Sequence, residues 1–186
     1  YQEATGALWS TIYDPSSIFI TGKIDPLGHI TTFQRDIYGN PTTTTLADGT
    51  VWQSLYAFPG STFDTTGSKR RLQVAIDPLG QRTSYAYNGR GQLLTTQDPL
   101  GHTVTNVYDA FGDCIAVVDA LGRITSYAHD AAGNIVGVQN PLGQRITASY
   151  DAQSRLLSAQ DALGHITSWG YDNVGNPTVI VNPLGQ

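Results

Sequence analysis

The chain has 186 residues, 13% of them charged, with 10 Lys+Arg against 15 Asp+Glu and a formal charge of −5. It has no basic tract to track phosphates, no run approaching the roughly 18 apolar residues of a membrane-spanning helix, and no legible signal peptide. Nucleic-acid binding and a helical membrane span are therefore not expected.

Punctuation starts early. The turn tetrapeptide Asp25-Pro26-Leu27-Gly28 lies 22 residues after Gly6 and 21 before Gly49. From Gly49 to Gly80 the step is 31, so about ten extra residues sit near Phe58 to Lys69. Their Gly, Pro, Ser and Thr content predicts an elongated hairpin loop, with a binding loop as the alternative. From Gly80 onward the step is 21 without slippage, through Gly101, Gly122, Gly143, Gly164 and Gly185.

Each repeat carries a second turn, about eleven residues after the first, at Gly91, Gly112, Gly133 and Gly175, with Ser154 as the replacement. The repeat from Gly101 to Gly122 shows the layout. His102 to Tyr108 is one extended run, Asp109-Ala110-Phe111-Gly112 a turn, Asp113 to Val118 a second run, and Asp119-Ala120-Leu121-Gly122 the closing turn. Runs this short, rich in Val, Ile, Thr and Tyr, predict strands rather than helices. Asp or Asn can bond the backbone two residues on, Pro presets its φ, and Gly tolerates positive φ. The spacing predicts a hairpin meander.

Alternation along the first strand separates two faces. Phe33, Tyr85, Tyr127 and Trp169 stand at the fifth place after the glycine; Tyr87, Tyr108, His129, Tyr150 and Tyr171 stand at the seventh. Thr32, Ser84, Thr105, Ser126, Thr147 and Ser168 alternate with them as a Ser/Thr ladder. The aromatic stripe suits stacking on sugars, but cross-strand packing of equivalent side chains is the favoured reading. The Tyr-Asp or Tyr-Asn pair at the turn is read as structural.

About eight repeats across residues 1–186 give about sixteen strands, a ribbon on the order of 75 Å wide at roughly 4.8 Å per strand. Sheets of that width curl or split. A spiral, a closed barrel and stacked sheets are all open on these grounds, and the regular register favours a repeat architecture.

The recurring D-x-L-G-[HRQ]-x-T-x-x-x-Y-D-x-x-G-[RN]-[LIP] pattern, as in Asp98 to Ile115 and Asp161 to Pro177, resembles the Rhs/YD-repeat family. That family includes bacterial polymorphic toxins, shell components of insecticidal toxin complexes and animal teneurins, and the D-P-L-G turns here are more similar to the bacterial members. The resemblance implies an all-β chain of repeated antiparallel hairpins, forming a long, twisted, spiralling sheet that is part of a hollow shell. It further implies that the shell shields a C-terminal toxin domain of a secreted bacterial toxin used in interbacterial competition. The implied partners are the rest of the parent polypeptide, the enclosed domain and secretion-system components. The plug region and the self-cleaving acidic segment of the family are not found in these residues.

Chemistry is sparse. His29, His102 and His165 follow the turn glycine, but intervening repeats carry Thr50, Gln81, Arg123 and Gln144 there, so solvated turn residues are expected rather than metal ligands. Asp25, Asp77, Asp98, Asp119 and Asp161 alternate with Asn140 and Asn182, which favours turn capping over calcium binding. Cys114, the single cysteine, excludes an internal disulfide and is read as a packing residue. No catalytic, cofactor or metal residue is assigned. The marked residues are the turn glycines Gly28, Gly49, Gly80, Gly101, Gly122, Gly143, Gly164 and Gly185 and the aromatics Tyr87, Tyr108, Tyr150 and Tyr171. With Tyr1 first and no Met, the chain is read as a piece of a longer polypeptide whose sheet edges invite self-association. Glycan or partner binding by the aromatic face or the insertion is the second functional reading.

Overall fold

The computed structural model describes residues 8–16, 18–56 and 71–186. The expected loop at 58–69 lies outside the described residues. Two compact units divide the chain, Tyr1–His102 and Thr103–Gln186. The first holds β1 (Ser10–Tyr13), β2 (Ile20–Ile24), β3 (Ile30–Arg35), β4 (Pro41–Thr45), β5 (Val51–Tyr56), β6 (Leu72–Ile76), β7 (Arg82–Tyr87) and β8 (Leu93–Gln97). The second holds β9 (Thr103–Tyr108), β10 (Cys114–Val118), β11 (Ile124–His129), β12 (Ile135–Gln139), β13 (Arg145–Tyr150), β14 (Leu156–Gln160), β15 (Ile166–Tyr171) and β16 (Pro177–Val181). The chain is all-β, with sixteen antiparallel strands and no helix among the described residues, as the alternation and turn spacing predict. Among those residues no helix is long and apolar enough to cross a membrane.

Within each compact unit a strand pairs only with its sequence neighbours, so each unit is a single-layer meander. One layer has no interior. No described side chain is fully buried, and only Gly22 and Gly137 are buried as residues. Stability must therefore come from the ladders, the turns and cross-strand pairs worth about 0.2–1 kcal/mol each.

The turns between repeats explain the glycines. Between β10 and β11 the Gly122 N–H donates to the Asp119 carbonyl at 2.9 Å, and the Asp119 N–H donates to the Arg123 carbonyl at 3.0 Å. Gly122 has φ 76°. A type I turn followed by a left-handed residue closes the hairpin, and that residue is where a Cβ is strained.

An odd repeat length raises a difficulty, because a one-residue slip would turn every side chain to the other face. A β-bulge in the hairpin that follows the seventh place resolves it. Ala128 pairs with Gly137 but His129 with Ile135, leaving Val136 unmatched, and the same shift recurs between β9 and β10, β13 and β14, and β15 and β16. Crossing from Thr105 to Val118 to Ile124 arrives two residues short of Ser126, the equivalent of Thr105 in the next repeat. Two is even, so equivalent side chains keep one face. The first compact unit shows the same shifts between β3 and β4, β5 and β6, and β7 and β8.

The aromatic pairing differs from the expected like-with-like packing. Phe33 faces Thr44, Tyr85 faces Thr96, Tyr127 faces Val138 and Trp169 faces Ile180. The reason is that equivalent places in neighbouring repeats lie two strands apart, so the facing residue comes from the second strand of the same repeat; the fifth place is moreover aromatic only in alternate repeats, with Ser54, Asn106 and Ala148 between. The working period of the side chains is two repeats, 42 residues in the regular stretch.

Ser154 has φ 60°, the one non-glycine residue with positive φ among those described. Its N–H still donates to the Asp151 carbonyl at 3.0 Å, so the turn forms despite the Cβ. Ser154→Gly is expected to raise stability by about 1 kcal/mol, read from the denaturant midpoint. An unchanged or lower midpoint would show that the left-handed strain is not being relieved.

Candidate functional site

The residues with recurring polar chemistry are at the turns, and the first turn place does most of it. The Asp161 Oδ1 accepts the Leu163 N–H at 2.8 Å and the His165 N–H at 2.9 Å. The G1-bulge geometry gives the Asp161 carbonyl to Gly164, so the His165 N–H would otherwise lack a partner. The same pair of acceptor contacts recurs at Asp25, Asp36, Asp77, Asn88, Asp98, Asp109, Asp119, Asp130, Asn140, Asp151, Asp172 and Asn182. Leu46 holds the first place in one turn and has no such oxygen. There Asp48, two residues on, takes the Thr50 N–H at 2.8 Å.

The second side-chain atom reaches the residue after the glycine. Asp25, Asp98 and Asp161 use Oδ2 to meet Nδ1 of His29, His102 and His165 at 2.8, 2.9 and 2.9 Å. Arg123 and Arg155 donate from Nε to Asp119 and Asp151 at 2.6 and 2.5 Å. Asn40, Asn134 and Asn176 donate to Asp36, Asp130 and Asp172. Where the first place is Asn, the polarity reverses: Asn88 and Asn140 donate to the Oε1 of Gln92 and Gln144 at 2.8 and 2.7 Å. The histidines read as solvated are exposed, but each closes a turn.

These contacts set the carboxylate electrostatics. Side-chain hydrogen bonds from His102, Asn134, His165 and Asn176 are the leading cause holding Asp98, Asp130, Asp161 and Asp172 below the ordinary carboxylate value. For Asp119 and Asp151 the leading cause is the backbone N–H of Arg123 and Arg155. At Asp25 and Asp109 desolvation is the largest single influence and pushes upward, but the several donors together outweigh it.

The seventh place works differently. The Tyr87 hydroxyl donates to the Leu72 carbonyl at 3.0 Å and the Tyr171 hydroxyl to the Leu156 carbonyl at 2.9 Å, each reaching back 15 residues across the sheet. Arg71 and Arg155 lie over the two rings, 5.5 and 4.8 Å from their centroids. At Arg35, which replaces the tyrosine in its repeat, Nε donates to the Ile20 carbonyl at 2.8 Å over the same span. Tyr108 and Tyr150 are half-buried at the same place. The cue missed in the sequence is that Arg35-Asp36 is a Tyr-Asp pair with the donor kept and the ring exchanged.

In the second compact unit a groove of about 450 Å³ opens beside Trp169 and Tyr150, with Ala148 and Ala159 among its lining residues and Asp161 and His165 at its polar side. One double repeat earlier Asn106 and Val117 occupy the places of Ala148 and Ala159. Ala148 and Ala159 are the smaller residues at these places. No group of three or more His, Cys, Asp or Glu residues suited to a metal ion occurs among the described residues. Cys114 is half-buried in β10.

The model of the RHS repeat family matches residues 19–51, 70–103, 108–145 and 150–186. Each of the last two matches spans most of one 42-residue double repeat. No curated protein matches the sequence. Among solved structures the chain is similar to TcdB2-TccC3, with 17% identity and a TM-score of 0.38 over 94% of this chain and 12% of that one. It is likewise similar to a Photorhabdus luminescens Tc holotoxin pore, with 17% identity, a TM-score of 0.37, and 94% and 12% coverage. The chain thus spans 12% of the length of these structural relatives.

Two outcomes follow for the purified protein. A folded-state carboxyl value below the unfolded one contributes stability that is present above the unfolded value, about 3.9, and is lost as pH falls through the folded one. Thermal unfolding below about pH 4 should therefore occur at progressively lower temperature; a midpoint that holds steady there would exclude the turn carboxylates as stabilising groups. Tyr171→Phe removes one hydroxyl bond and should cost about 1 kcal/mol in denaturant unfolding, whereas no cost would mean the bond to Leu156 is not formed.

Proposed function

The chain belongs to the RHS repeat family, whose model matches most of its length, and from that premise we propose that it is a segment of a β-sheet shell. The shell would enclose and shield a C-terminal toxin domain of a bacterial toxin exported from the cell. The observation that carries this reading is the single-layer sheet, in which no described side chain is fully buried and each strand relies on its sequence neighbours. A sheet of this kind separates two sides of a boundary without needing a second layer, and its even stagger of two residues per repeat keeps equivalent side chains on one side of it. The segment has no catalytic role of its own in this reading; its partners are the rest of its polypeptide, the enclosed domain and the machinery that exports the toxin.

Limited proteolysis of the parent polypeptide tests the proposal. The domain that follows the repeats should resist protease while the sheet is intact and be cut once denaturant opens it. Equal cleavage of that domain with and without the repeats would overturn it.

The groove beside Trp169 favours a second reading, binding of a glycan. Trp169 and Tyr150 offer ring faces, with Gln160, Asp161 and His165 nearby for hydroxyl groups. Trp169→Ala should then abolish retention on a glycan array without unfolding the protein; no retention by the unmodified protein removes this reading.

A further inference from the structure

The turns of the second compact unit alternate between the two ends of its strands, and the two ends differ in chemistry. At one end the turns between repeats carry Leu121, Leu142, Leu163 and Leu184 at their third place, 76, 84, 82 and 81% exposed. Their backbones are held, since each N–H is bound by the Asp or Asn two residues before it. The side chains therefore recur as a row, one every second strand, about 9.6 Å apart at roughly 4.8 Å per strand. Ala120, Pro141, Ala162 and Pro183 stand beside them. At the other end the third place is Phe111, Ala132, Gln153 or Val174, with no common side chain.

Charge divides the ends in the same way. Asp109, Asp113, Asp130, Asp151 and Asp172 gather at the mixed end with Arg155, whereas the leucine end balances Asp119 and Asp161 with Arg123 and Arg145. The leucine end is also notched. A cleft of about 490 Å³ opens between the Asp119 and Asn140 turns, with Gly122, Ile124, Pro141 and Leu142 among its lining residues. The groove beside Trp169 reaches the Asp161 turn at His165 and the next turn at Pro183. These recesses recur 42 residues apart, as do Leu121 and Leu163, which is about 19 Å across four strands.

We infer that the leucine end of the second compact unit is a self-association surface whose partner is the same end of a second copy. In an antiparallel pairing Leu163 of each copy enters the cleft between the other's Asp119 and Asn140 turns, and Leu121 enters the groove beside Trp169. The fit is reciprocal, as a two-fold contact requires. Only a partner with the same period matches knob and recess at both places. The exposed leucines supply apolar surface to remove from water. Two balanced leucine ends approach without repulsion, while two acidic ends repel one another. This contact is made by turn side chains and is distinct from pairing through the backbone of β16, which ends the sheet.

Sedimentation velocity over a concentration series tests the surface. The unmodified chain should pass from monomer to dimer as concentration rises, and Gln at Leu121, Leu142, Leu163 and Leu184 should raise the dissociation constant at least about tenfold. Gln153 already holds the third place of a turn, with its N–H bound to Asp151 at 2.9 Å, so the substitutions keep the turns. Methyl spectra of the unmodified, leucine-labelled protein give a second readout: the Leu121 and Leu163 signals should shift with concentration while Leu156 in β14 stays in place. A monomer at every concentration, equal association of the variant, or concentration-independent Leu121 and Leu163 signals would each overturn the proposal.

Discussion

A side-chain oxygen at the first place of nearly every described turn accepts two backbone N–H groups, and the register of the hairpins rests on that contact. The type I turn with a left-handed fourth residue diverts the first carbonyl to the glycine, leaving the fifth N–H without its usual ladder partner. Asp or Asn supplies the missing acceptor. The Leu46 turn shows the demand is real, since Asp48 fills it from a different position. The charge is not required for this, which is why Asn88, Asn140 and Asn182 serve equally as acceptors. At the second side-chain atom His, Arg or Asn follows most of the aspartates and Gln follows the asparagines, with Asp77–Gln81 and Asp109–Asp113 as the departures.

With the turns fixed, a single-layer sheet still has to keep its two faces distinct along many strands. The bulge converts an odd repeat into an even stagger. In three of the hairpins a seventh-place strut then ties the hairpin to the preceding one, through Arg35, Tyr87 or Tyr171. Glycines differ accordingly. Gly28, Gly101 and Gly122 have open space around them and are needed for φ alone. Gly39 and Gly91 also lie under Phe19 and Arg71, so a Cβ there would displace the residue above it.

Much of this was legible in the sequence because it is local. Turn residues, strand lengths and the two-strand repeat follow from chemistry within about six residues of each glycine. The bulge was implicit in a repeat of 21, but only pairing reveals where the unmatched residue sits. The coupling of Asp161 to His165, or of Asn140 to Gln144, is legible as a pattern of residue pairs four apart rather than as a series of histidines. The struts span 15 residues and required the register. The partners of the aromatic stripe were not legible because the fifth place faces the second strand of its own repeat, as Trp169 faces Ile180, and is aromatic only in alternate repeats, with Ala148 between Tyr127 and Trp169. Ala148 is among the residues that line the groove beside Trp169.

If the turn oxygens hold the sheet, exposed turn tips should have protected backbones. Leu79, Leu100, Leu121, Leu142 and Leu163 have side chains 76–84% exposed, yet each N–H is bound by the Asp or Asn two residues before it. Residue-resolved amide exchange of these five leucines is the direct measurement. The account predicts exchange well below the intrinsic rate at all five positions, and exchange at the intrinsic rate would contradict it.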